Sequence, residues 1–150
     1  MRMQTPSLFG GRHAVIGLLA LMIAVQGCSA PEEERAPVVL KIDNNTNDAV
    51  LRCQLVLAHF MTGDLAPAAP GQMIEIDLQR DAATSTMLYL GPGGRLVAVE
   101  NVLCGADDDW MATRNDINLT PLRAGVTQQL QIVCTERGEL SCTADATPKD

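Results

Sequence analysis

From Val38 onward, apolar residues return at every second position, and each such run is soon cut by turn-forming residues. Ile74, Ile76 and Leu78 alternate with Met73, Glu75, Asp77 and Gln79. A strand with one buried face requires this pattern, because successive side chains point to opposite sides of a sheet. Val38, Leu40 and Ile42 repeat it, as do Leu51, Cys53, Leu55 and Leu57 against Arg52 and Gln54, and Leu130, Ile132 and Cys134 against Gln129 and Gln131. No stretch carries the 3.6-residue period of an amphipathic helix. The expectation is an all-β domain of about six to eight short strands, a small β-sandwich of immunoglobulin-like or similar kind.

Turn chemistry places the breaks. Asn44 to Asp48 supplies five turn-prone residues, so the simplest reading pairs the first two strands as a hairpin. Met61 to Gly71, with Pro67 and Pro70, reads as a loop. Gly91-Pro92-Gly93-Gly94 supplies the positive backbone angles a tight reversal needs, so Thr86 to Leu90 and Arg95 to Cys104 read as a second hairpin. Ile117 and Leu119 start a further short strand, turned by Pro121 to Gly125.

Cys53, Cys104, Cys134 and Cys142 follow a fifth cysteine, Cys28, near the start of the chain. An even set in an exported chain implies two disulfides, and no Cys-x-x-Cys knuckle suggests zinc. Cys134 and Cys142 are symmetric about Gly138, so a hairpin there sets them opposite each other, which leaves Cys53 to Cys104 as a long-range staple. Four cysteines allow three pairings, and spacing alone leaves all three open.

Export itself is read from the first residues. Arg2, Arg12 and His13 precede Ala14 to Val25, an unbroken run of twelve apolar or glycine residues. A membrane span needs about 20, so this is the core of a signal peptide. The run ends in Val25-Gln26-Gly27-Cys28, which resembles the lipobox of bacterial lipoproteins. That resemblance implies cleavage after residue 27, acylation of Cys28 and a lipid anchor in the membrane. Ser29 in place of Asp after the cysteine is similar to the outer-membrane default of enterobacteria-like sorting. The expected location is thus the bacterial cell envelope, on the periplasmic face of the outer membrane. Residues 28–36, with three successive glutamates between Pro31 and Pro37, read as a solvated tether, and 37–150 as a single domain.

Past Cys28 the chain holds nine basic residues against eighteen acidic ones. Such a balance disfavours nucleic acid and anionic lipid surfaces, which reward clusters of Lys and Arg. His59 is the only histidine beyond the signal. With Met61 it forms His59-Phe60-Met61, similar to the His-x-Met element of periplasmic copper chaperones of the cupredoxin-like kind, whose thioether and imidazole suit cuprous copper. The upstream partner of that element is missing, so neither a metal nor another cofactor is expected.

Asp107-Asp108-Asp109 lacks the alternate spacing of an EF-hand and reads as a solvated turn. Ser29, Ser85 and Ser141 have one possible base among them, and paired cysteines leave no thiol nucleophile. Phe60, Tyr89 and Trp110 are too few to build a stacking platform for glycans or single strands. The expected function is therefore non-catalytic: an accessory subunit or protein-binding module of an envelope complex. Copper binding through His59 and Met61, or inhibition of a cell-wall hydrolase, are the alternatives.

Overall fold

The computed structural model describes residues 34–145. The expected signal peptide, Cys28 and most of the tether lie outside the described residues. Nine strands appear: β1 Arg35–Asn44, β2 Leu51–Leu57, β3 Met61–Asp64, β4 Met73–Asp81, β5 Met87–Leu90, β6 Leu96–Ala106, β7 Asn115–Asp116, β8 Gln129–Glu136 and β9 Leu140–Ala144. Two one-turn helices, α1 Trp110–Thr113 and α2 Thr120–Arg123, fall between β6 and β8.

The alternation read from the sequence sets the burial of each long strand. In β4, Ile74, Ile76 and Leu78 are buried while Glu75 and Asp77 are exposed. In β2, Leu51, Cys53, Leu55 and Leu57 face inward, and in β1 Val38, Leu40, Ile42 and Asn44 do. Each fully buried Leu or Ile adds about 1.5–3 kcal/mol relative to exposure. The outward row is polar and paired: Lys41 Nζ lies 3.2 Å from Glu75, its register partner, and Gln131 donates to Asp43 at 2.6 Å.

The strands hydrogen-bond in the order β3-β2-β6-β5-β4-β1-β8-β9, with β7 also on β6. Every pairing is antiparallel except that of β1 with β8. The all-β class and both disulfides agree with the sequence reading. Because β5 bonds to both β4 and β6, the strands make one continuous sheet. Inward residues of β1, β2, β4, β6 and β8 join a single core cluster. One-turn helices cannot cover that face, so the sheet itself curves around the core.

Several local expectations are corrected. β1 and β2 are not a hairpin: β1 pairs with β4 and β8, and β2 with β3 and β6. The reason is Asn44, which is buried and bonds to the segments around it instead of turning in solvent. Within the expected loop from residue 61 to 71, Met61–Asp64 forms β3, since its backbone pairs with Leu57 to Gln54. Ile117 and Leu119 are buried but lie outside any strand, between β7 and α2. β1 begins at Arg35, two residues before the expected start of the domain.

The β5–β6 and β8–β9 hairpins form where turn chemistry placed them. Gly138 has φ 94°, a left-handed value that a side chain would disfavour. This turn sets Cys134 opposite Cys142, with Cα atoms 4.0 Å apart, and the two are disulfide-bonded. Cys53 and Cys104 are likewise register partners, on β2 and β6, with Cα atoms 4.2 Å apart and a disulfide between them.

Candidate functional site

The inner face of the sheet is not closed everywhere. Parity along β2 and β3 sends Met61 and Gly63 to the same side as Leu57 and Leu55, their register partners. On β5 and β6 the pair Tyr89 and Val97 shares its side with the buried pair Met87 and Val99. Gly63 carries no side chain where a strand residue would fill the interior. A cleft of 340 Å³ remains, walled by Leu55, Leu57, Met61, Leu65, Tyr89 and Val97, with Pro92 and Arg95 on its rim. Its size lies within the range of small-molecule sites, about 300–1,000 Å³.

Above the cleft the chain turns from β2 into β3 through Ala58–Phe60. His59 has φ 63° and Phe60 φ 60°, two successive non-glycine residues in the left-handed region. Hairpins of this geometry usually place Asn and Gly there, because a Cβ crowds the following carbonyl at about 1–2 kcal/mol per residue. The turn holds Phe60 99% exposed, with Met61 and Leu90 also exposed.

Among the described residues β3 is one edge of the sheet, β9 being the other end of the strand order. The outward Asp64 of β3 accepts from Arg52 and Gln54, each at 3.0 Å. The Arg52 guanidinium, then the Gln54 amide, hold this carboxyl below its ordinary range. Arg52 also lies 5.0 Å from the centre of the Trp110 ring, so one side chain ties the edge strand to α1. The ring seats against Gly105, where a Cβ would come within 3.1 Å of it and 3.0 Å of Arg114 Cα. Trp110 is thus a half-buried packing residue on the outer face, away from the cleft.

His59 and Met61 do share one hairpin, as adjacency in sequence requires. The later methionines sit on other elements: Met73 opens β4 opposite Asp43, Met87 is buried in the core, and Met111 lies on α1 against Arg114. Among the described residues no group of three or more His, Cys, Asp or Glu is placed to hold a metal ion. Asp107, Asp108 and Asp109 are all exposed, and the Asp109 carbonyl accepts from Thr113. Ser85 and Ser141, the two serines within the described residues, lie in the β4–β5 turn and on β9, neither of which pairs with the β2–β3 hairpin that carries His59.

The cleft was not visible in the sequence. Its signal was Gly63 at an inward position of an unsuspected strand, which becomes meaningful only once the register with β2 is known. No helix among the described residues is long and apolar enough to cross a membrane. No protein-family model, curated protein or solved structure matches the chain. Fold and site therefore define a class only: a disulfide-bonded, single-sheet β domain with an open apolar cleft beside a strained hairpin tip.

Proposed function

We propose that this chain is a non-catalytic lipoprotein of the bacterial envelope, anchored through Cys28 at the periplasmic face of the outer membrane, that docks onto another envelope protein through its β2–β3 hairpin. The observation that carries the reading is Phe60, 99% exposed on a tip whose backbone stores strain. Solvent gives no reason to keep a large apolar ring at such a position. A partner pocket does, because aromatic anchors in desolvated pockets dominate interface energies. The acidic balance of the domain favours a protein partner over nucleic acid.

The test is photo-crosslinking in the native host from a benzophenone amino acid at position 60, followed by mass spectrometry. A single envelope protein that binds the purified lipoprotein directly, and binds Phe60→Ala at least tenfold more weakly, supports the reading. Equal binding by wild type and Phe60→Ala, or turnover of a substrate by the purified protein, overturns it.

A further inference from the structure

The cleft and the exposed Phe60 are separate features, and the cleft has chemistry of its own. Its walls are aliphatic, from Leu55, Leu57, Leu65 and Val97, and it is narrowed by no side chain at Gly63. Its rim carries Arg95, and Tyr89 reaches it from β5. Neither side chain has a protein hydrogen bond or ion pair among the described residues, a state that Arg95 shares with Arg80 and Arg137, of which neither lines this cleft. Asp64 also borders the cleft, but its carboxylate is turned to the outer face and satisfied by Arg52 and Gln54. In a strongly acidic domain, an unpaired guanidinium at the mouth of an aliphatic slot selects an anion with an apolar tail.

We propose that the cleft binds one unbranched acyl chain ending in a carboxylate, with the tail against Leu55, Leu57 and Leu65 and the head at Arg95 and Tyr89. Burial of the tail is additive, so affinity rises about fourfold for each methylene until the slot is full. The head adds a charge-assisted bond from Arg95, which forks onto a carboxylate, and a neutral bond from the Tyr89 hydroxyl. Gly63 sets the depth. A Cβ placed there stands 3.8 Å from Leu55 and 3.9 Å from Leu57, ordinary contact, and its backbone has no positive φ. A larger side chain therefore enters the cleft without straining the strand.

The experiment uses the full mature lipoprotein in lipid nanodiscs and a dodecanoic acid bearing a diazirine near its methyl end. Photolysis is expected to place adducts on the peptides holding Leu55 to Leu57 and Met61 to Leu65, where the tail lies, and not on the one holding Tyr89 and Arg95. Unlabelled dodecanoate should suppress them, and its methyl ester should compete about tenfold less well. Gly63→Leu should abolish the adducts. Arg95→Gln, at an exposed position, should weaken labelling about tenfold and remove the preference for acid over ester. Adducts spread over the surface, or undiminished in Arg95→Gln, overturn the proposal. Equal competition by acid and ester also overturns it, since the slot then takes any apolar matter, the chain's own acyl group included.

Discussion

The side-chain amide of Asn44 donates to the carbonyl of Ala68, twenty-four positions further along the chain, at 2.9 Å. The same amide donates to Ala49, and its oxygen accepts from the Thr46 backbone at 3.1 Å and hydroxyl at 2.7 Å. Asn44 is 1% exposed, so this knot replaces water for the strand end, the Asn45 to Val50 crossing and the segment before β4. Asn44→Ala would leave the Thr46 N–H without a partner, while the Ala49 and Ala68 carbonyls would each lose one of two donors and keep the Thr46 hydroxyl and the Leu51 N–H, and it is expected to cost on the order of 1–2 kcal/mol in urea unfolding. Asn44→Asp should cost more, and increasingly so as pH rises. Burial beside two carbonyls raises the folded-state pKa of an introduced carboxyl, so its penalty grows once pH passes the unfolded value of about 3.9.

That knot also marks where the sequence ceased to be legible. Alternation exposed the core faces of β1, β2, β4 and β8, because periodicity is a local property. Pairing is not local: β1 lies beside β8, with Leu40 opposite Leu130, and nothing in either segment names the other. Asn44, Asn45, Thr46, Asn47 and Asp48 have the composition of a solvated turn, so the buried role of the first and third was hidden by their neighbours. β3 was missed for the opposite reason. Its four residues, with Gly63 inside, are too short and too mixed to show a period, and the cleft depends on that glycine.

The two disulfides are expected to differ in worth. Cys53 and Cys104 close a separation of 51, against 8 for Cys134 and Cys142. On loop-closure entropy, replacing the first pair by alanine costs about 4 kcal/mol and the second about 2.5 kcal/mol. Paired variants in a thermal or urea series check the order. Cys53, Cys104 and Cys134 are fully buried while Cys142 is half-exposed. Mild dithiothreitol followed by alkylation should therefore open the Cys134–Cys142 bridge first.

Asp64 and Asp81 both have carboxyls held below the ordinary range, but for different reasons. Asp64 owes this first to the Arg52 guanidinium, and Asp81 first to the Thr84 backbone N–H, at 2.8 Å. Each contributes stability that is present above the unfolded pKa and lost as pH falls through the folded one, so both act on the acid limb below pH ~4. Salt separates them. In carboxyl-detected NMR titrations, about 1 M NaCl should raise the midpoint of Asp64 more than that of Asp81, because a guanidinium, Arg52, is the first cause for the former, whereas for the latter the cation, Arg35, is the least of the causes. Equal shifts would contradict the assignment.

Gly105→Ala tests the packing of α1 on the sheet. A Cβ there would meet Arg114 Cα at 3.0 Å, Arg114 N at 3.1 Å and the Trp110 ring at 3.1 Å. Two of those three atoms are backbone and cannot rotate away. The helix must lift, which is expected to cost about 1–3 kcal/mol and to expose the indole. A red shift of Trp110 fluorescence in the folded variant, together with weakened protection of Arg114, whose N–H donates to the Trp110 carbonyl, would register the displacement.

The hairpin tip offers the sharpest contrast between stability and binding. His59 and Phe60 occupy left-handed backbone that asparagine and glycine adopt with little strain. The double substitution His59→Asn with Phe60→Gly should therefore stabilise the domain, by about 1 kcal/mol after the entropy lost by glycine is allowed for, and raise Tm by about 4 °C. It removes the exposed ring at the same time. If Phe60 is an anchor for a partner, this more stable protein binds that partner more weakly, and Phe60→Tyr, which keeps the ring, binds nearly as the wild type does. A stabilised variant with undiminished binding would mean that the strain at the tip serves some end other than presenting this ring, and the docking surface would have to be sought elsewhere on the domain.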